Sequence, residues 1–255
     1  MMETVQSKGL VLYNRPYREK DRLVKIFTEK AGKRMFFIRN VEKSQRLAQI
    51  QPLVMGDYVL KLREEGLGYI DEVSVETAYP KVQGDIYSLA YASYVLALAD
   101  ASIQDGQADP ALFQFVTKTL DLMEEGLDYE VLTLIFEMQI LDRFGTRLVL
   151  SECCFCHRIG LPFDYSFVYD GVLCPEHYDQ DVHRAHFNPN SLFLLERFQA
   201  VSLEELESIR LSSETKFDLR RTLDAFYQEY VGIHLKAKKF LDSLDEWGSL
   251  LKERK

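Results

Sequence analysis

The chain has 255 residues, 47% of them hydrophobic and 28% charged, with 31 Lys and Arg against 40 Asp and Glu for a net charge of -9. That much apolar material builds a sizeable core and excludes a disordered or fibrous protein. The longest uncharged run, Ile86 to Ala99, is shorter than the roughly 20 apolar residues that cross a bilayer. The start, Met1-Met2-Glu3-Thr4, lacks the basic and apolar stretches of a secretion signal, so a cytoplasmic location is expected.

The charge is unevenly spread. Residues 1–50 hold 12 Lys and Arg against 5 Asp and Glu, a balance of +7 that leaves -16 on the remainder. A basic head on an acidic body suggests that one domain meets an anion while the others do not.

Residues 1–80 read as β structure. Gln6 to Arg15 and Arg22 to Glu29 are rich in branched and aromatic residues, Lys30-Ala31-Gly32-Lys33 is a turn, and Arg34 to Asn40 is a third strand. Leu53 to Arg63 and Leu67 to Ala78 follow across Glu64-Glu65-Gly66. Five short strands in about 80 residues fit a small barrel, an OB-fold first and an SH3-like barrel as the alternative.

Helices follow. Tyr87 to Ala99 is apolar on nearly all sides, the mark of a helix inside a bundle or one lining an apolar groove. Asp109-Pro110 is an N-cap with Pro at the first helical position, and Asp128 caps a third helix that stops at Gly145. Leu192 to Phe198 and Lys216 to Leu241 complete the set; in the latter, Leu223, Phe226, Tyr227, Tyr230, Val231 and His234 form one apolar stripe. The acidic run Asp121, Glu124, Glu125, Asp128 reads as a solvated helix end. The expected class is α+β, with an OB-fold at 1–80, a helical bundle body at 81–150 and 188–255, and a cysteine-bearing insertion at 151–187.

That insertion holds all four cysteines. Cys153 and Cys156 form C-x2-C, Cys174 and His177 form C-x2-H, and 17 residues separate the pairs. This is two-knuckle zinc spacing, because each pair presents two ligands from one tight turn. Cys154 is the spare, and His157, His183 and His186 are rival ligands at poorer spacing. Phe167, Val168 and Tyr169 suggest the strand of a ribbon, with turns at Gly171 and Pro175. Four protein ligands leave no open position, so one structural zinc per chain is expected. The phosphate-loop, dinucleotide, H-E-x-x-H and G-x-S-x-G motifs are absent, so no enzyme is expected.

In order, these pieces resemble the bacterial recombination mediator family RecO. The opening GLVLYNRPYREKDRLVKIFTEKAGKRMFF carries the pattern G-x-V-L, Y-x-E-x-D, F-T-x-x-x-G, and the later strands, central helices and cysteine segment follow over nearly the whole chain. His177 stands where the family commonly has Cys, and IRNVEKSQ after the third strand is less Gly- and Arg-rich than usual. The resemblance implies a non-catalytic, nucleoid-associated DNA repair protein. It would bind single- and double-stranded DNA, anneal strands, act with RecR, contact single-strand-binding protein, and help RecA load. In a basic barrel, phosphates meet Lys and Arg while bases stack on rings. The DNA-contacting candidates are Arg15, Arg18, Lys20 and Arg22 in the first loop; Lys33, Lys43 and Arg46 in loops about the third strand; and Arg34, Phe36, Phe37 and Arg39 in it. A zinc-ribbon adaptor whose basic face meets an acidic protein is the reading from another class.

Overall fold

Alternating side chains carry the first third of the chain into a sheet that closes on itself. The computed structural model describes residues 2–41, 44–63, 66–160 and 162–252. Strands β1 (Met2–Tyr17), β2 (Asp21–Thr28) and β3 (Gly32–Ile38) lead through a short helix α1 (Ser44–Ala48) to β4 (Met55–Arg63) and β5 (Gly68–Thr77). They form a closed barrel in the order β1-β2-β3-β5-β4, the OB-like arrangement expected from the strand count. Length makes closure possible: β1 pairs with β4 from Met2↔Arg63 to Leu10↔Met55, and with β2 from Gly9↔Thr28 to Tyr17↔Asp21. At Gly9, where it serves both partners, an added Cβ would lie 2.9 Å from Ile26 and Tyr58. The parallel contact of β3 with β5, Phe36↔Gly68 and Phe37↔Tyr69, completes the ring.

Val11, Val24, Ile26, Phe36, Ile38, Tyr58 and Leu60 fill the barrel, with Leu47 of α1 packed against that core. Phe36 is fully buried, and a Cβ at Gly68 would come within 2.8 Å of its ring. It is therefore a core residue and no DNA contact, a correction to the sequence reading. Full burial of such a ring contributes about 1.5–3 kcal/mol.

Helices α2 (Pro80–Gly84), α3 (Ile86–Ser102) and α4 (Pro110–Glu125) follow the barrel. Next come α5 (Tyr129–Ile140), the hairpin β6 (Asp164–Ser166) and β7 (Gly171–Leu173), then α6 (Pro189–Ala200), α7 (Ser213–Phe226) and α8 (Lys236–Lys252). One compact unit comprises residues 1–126 with 235–255, and the other comprises 127–234.

In the first unit, α3 is core: Ala90 to Leu96, apart from Ser93, and Leu98 and Ala99 are buried, and α8 packs on this helix. It is not the lining of a groove. Asp109 caps α4 through Leu112 N–H, as the Asp-Pro pair implies. The acidic run is more than a solvated end, because Glu124 accepts from the backbone N–H groups of Lys81 and Val82 at the start of α2.

In the second unit, Asp128 caps α5 and pairs with Lys216 at 2.5 Å. The expected single helix from Lys216 to Leu241 is two. A π turn at Tyr227–Val231 ends at Gly232 in the left-handed region, φ 64°, and the chain restarts as α8. His234 falls in the break and is exposed, off the stripe.

The barrel also hides charge. Lys25 and Lys33 are buried, and their ammonium groups lie 2.8 Å from Asp105 and 3.0 Å from Asp100 respectively, each approaching the other aspartate at 3.5 Å. Lys33 is therefore a strand residue spent on an internal ion-pair cluster, and neither its expected loop position nor its DNA contact holds. Burial pushes Lys25 down, but Asp105 and Asp100 outweigh it and hold it above 10.5. Burial pushes Asp105 up, but Lys25 and Lys33 hold it below 3.8. A raised lysine adds stability that is complete below its unfolded value and lost as pH climbs past 10.5. A lowered aspartate adds stability present above its unfolded value and lost as pH falls below 3.8. Asp105→Asn should therefore lower the melting temperature between these limits, with the difference shrinking as pH falls below 3.8. Thermal melts from pH 3 to 11 check this, and a difference constant with pH would contradict it.

Candidate metal centre and candidate nucleic-acid face

Two tight turns build the cysteine cluster. In the first, His157 N–H closes on Cys153 O at 2.9 Å; in the second, His177 N–H closes on Cys174 O at 2.8 Å. Cys154 N–H donates to Val172 O at 2.9 Å, which ties the first turn to β7. The ligand atoms of Cys153, Cys156, Cys174 and His177 consequently lie within 4.8 Å of one another. The Cys156 and Cys174 sulfurs are 3.7 Å apart, and His177 Nδ1 is 3.7 Å from Cys153 Sγ and 3.2 Å from Cys174 Sγ. Sulfurs about 2.3 Å from a tetrahedral zinc stand about 3.7 Å from each other, so the residues fit such an ion. Burial pushes the Cys153 thiol up, yet backbone N–H groups of Cys156, Phe155 and Cys174 donate to it and bring it down to about 6. That favours the thiolate a metal needs.

Neighbours fix the ligands. Phe155 stacks on the His177 ring at 5.4 Å and 11°, and Tyr169 meets Phe155 edge-on at 4.9 Å. Buried Asp164 accepts from the N–H groups of Tyr165, His186 and Phe187 and pairs with Arg184 at 2.9 Å. Asp181 accepts from Ser166 Oγ at 2.6 Å. The hairpin strands are Asp164–Ser166 and Gly171–Leu173, so Phe167 to Tyr169 are turn and not the expected strand. His157, His183 and His186 are exposed and lie outside the cluster, and Cys154 stays outside it as the spare.

The barrel strands, the turns between them and α1 carry the basic candidates. One cross-strand row runs Arg15↔Leu23↔Phe37↔Tyr69↔Lys61, over all five strands. Arg15, Arg18, Lys20, Arg39 and Arg46 are exposed. Arg22 is half-buried and donates to Asn14 Oδ1 at 3.0 Å. Arg34 is half-buried, donating to Ala31 O with its guanidinium against Gly106. Lys43 lies outside the described residues.

Phe37 is outward but largely covered, edge-to-face with Tyr17 at 5.7 Å and with Tyr69 at 6.0 Å. Arg18, Arg39 and Arg63 sit over the rings of Tyr17, Phe37 and Tyr69 at 5.4, 5.7 and 4.9 Å. Sequence reading missed Tyr17, Tyr69 and Arg63. Alternation along β4 and β5 puts Arg63 and Tyr69 outward, but their meeting with Phe37 depends on barrel closure.

Fold and cluster together define an OB-like barrel protein with a helical body and an insertion whose three cysteines and one histidine are placed as a metal site requires. Residues 2–79 match the family model described as "Recombination protein O N terminal", and residues 83–239 match "Recombination protein O C terminal". The chain is similar to proteins named DNA repair protein RecO from Streptococcus sanguinis (58% identity, 100% of this chain and 99% of the relative), Streptococcus suis (57%, 99% and 97%) and Streptococcus pneumoniae (55%, 100% of both). The chain belongs to the RecO family of DNA repair and recombination proteins. No helix among the described residues is long and apolar enough to cross a membrane.

Proposed function

We propose that this chain is a non-enzymatic recombination mediator of the cytoplasm and nucleoid. It binds single- and double-stranded DNA, anneals complementary strands, and with RecR helps RecA load on strands coated by single-strand-binding protein. Residues 1–80 meet the DNA, residues 81–150 and 188–255 form the helical body, and residues 151–187 hold one structural zinc on Cys153, Cys156, Cys174 and His177. The observation that carries the reading, beside family membership, is the placing of exposed Arg18 and Arg39 over the rings of Tyr17 and Phe37 on a closed barrel. The contacting set is Arg15, Arg18, Lys20, Arg39 and Arg46, with Phe37, while Arg22 and Arg34 support them. Arginines supply phosphate contacts whose strength depends on salt.

A strand-annealing assay tests the reading. Two complementary oligonucleotides, bare or coated with single-strand-binding protein, should pair faster when the full chain is added, and the coated pair should show the larger acceleration. An unchanged rate on both substrates would refute annealing. Acceleration on bare strands alone would refute the mediator role.

A further inference from the structure

We propose that Tyr17, Phe37 and Tyr69 form a nucleobase-stacking track selecting unpaired strands, and that Arg18, Arg39 and Arg63 exchange these rings for phosphates when DNA arrives. The inference rests on the DNA-binding reading above and adds to it the class of strand and the residues that choose it.

The three rings, from β1, β3 and β5, adjoin in series, Tyr17 to Phe37 to Tyr69, with neighbouring centroids 5.7 and 6.0 Å apart. Both spacings exceed the rise of about 3.4 Å between stacked bases of a DNA strand. Neighbouring planes also cross at 88° and 84°. Bases laid on adjacent rings therefore cannot stack on each other, and paired bases in a duplex cannot reach the rings at all. Only a strand with its bases pulled apart satisfies the track, and base–aromatic stacking of this kind tolerates any sequence because every base has a π face.

Each ring face carries a guanidinium before DNA arrives. Cation–π attraction at an exposed site is weak, whereas an arginine on a phosphate makes charge-assisted, often bidentate hydrogen bonds. An incoming nucleotide offers both replacements together: the base takes the ring, and the phosphate takes the arginine. Phe37 shows the need for this exchange, because it is only 9% exposed and Arg39 lies over its face. Tyr17, at 39% exposed, is the accessible end of the series.

The experiment measures binding of the full chain to a labelled oligothymidine of about 15 nucleotides, near the upper site size of an OB fold. An abasic strand of equal length and charge is the comparison. Wild type should bind the thymidine strand at least tenfold more tightly. Tyr69→Leu should lose about tenfold on the thymidine strand, a typical stacking contribution, with no change on the abasic strand or in salt slope. Tyr69→Phe should restore it. Arg63→Ala should lower the salt slope on both strands by about 0.7. Tyr17→Leu, at the exposed end, repeats the Tyr69 test should that variant fail to fold. Equal wild-type affinity for both strands, or equal weakening of both by the leucine variants, would overturn the track while leaving DNA binding in place. Binding to neither strand would overturn the underlying function and the track with it.

Discussion

Replacing Cys156 or Cys174 by serine should abolish zinc binding and melt the insertion between residues 151 and 187. The two sulfurs come from different turns and stand 3.7 Å apart, so each substitution removes one corner of the ligand set. A serine hydroxyl does not ionise near neutral pH and is a poor zinc ligand. The hairpin's own ladder is short, since β6 and β7 pair over three residues each, and a ladder of that length is marginal alone. Structural zinc sites of this kind contribute on the order of 10 kcal/mol to folding. The loss should spread to the helical side, because Tyr165 packs on Phe226 at 4.7 Å and Tyr230 donates to Asp170 Oδ1 at 2.8 Å. Metal analysis of protein purified without chelator should give one zinc per chain for wild type and for Cys154→Ser, and none for Cys156→Ser or Cys174→Ser. Zinc-free wild type would sink the metal assignment. A zinc-free Cys154→Ser would sink the choice of ligands.

The contrast between the metal ligands and the basic face shows what a sequence discloses. Each ligand pair is made within one turn, so spacing alone brings Cys153 to Cys156 and Cys174 to His177; only the closure of one turn on the other needed the hairpin. The barrel was legible for a similar reason, as strand number and turn positions follow from local alternation. Lys33 was not legible. Its partners Asp100 and Asp105 lie about 70 positions further on, at the end of α3 and in the loop beyond it, and nothing near Lys33 announces them. Phe36 and Phe37 posed a subtler problem. Alternation separates their faces, but one ring fills the barrel and the other is hidden on its outer surface by Tyr17, Tyr69 and Arg39. The stripe ending at His234 failed because periodicity cannot register one glycine in the left-handed region, and Gly232 breaks the helix there.

Replacing Arg15, Arg39 and Arg46 together by glutamine should weaken binding to DNA of every sequence. All three are exposed, and they lie on β1, just beyond β3 and on α1. Arg34 and Lys33 are poorer targets, because the first is half-buried against Gly106 and the second is bound to two aspartates. Changing either would disturb the fold and confuse the result. If each arginine meets one phosphate, single-strand binding loses about 0.7 in salt slope per residue, or about 2 for the set. Extrapolated to 0.15 M salt, that slope corresponds to about 50-fold in affinity. Sequence preference should not change, since phosphate contacts carry no base information. Zinc content and melting temperature should also match wild type, because the three side chains lie outside both the insertion and the barrel core. Titrations of single strands between 0.05 and 0.3 M salt measure slope and affinity together. A folded triple variant with wild-type slope and affinity would move the DNA contact away from these three residues.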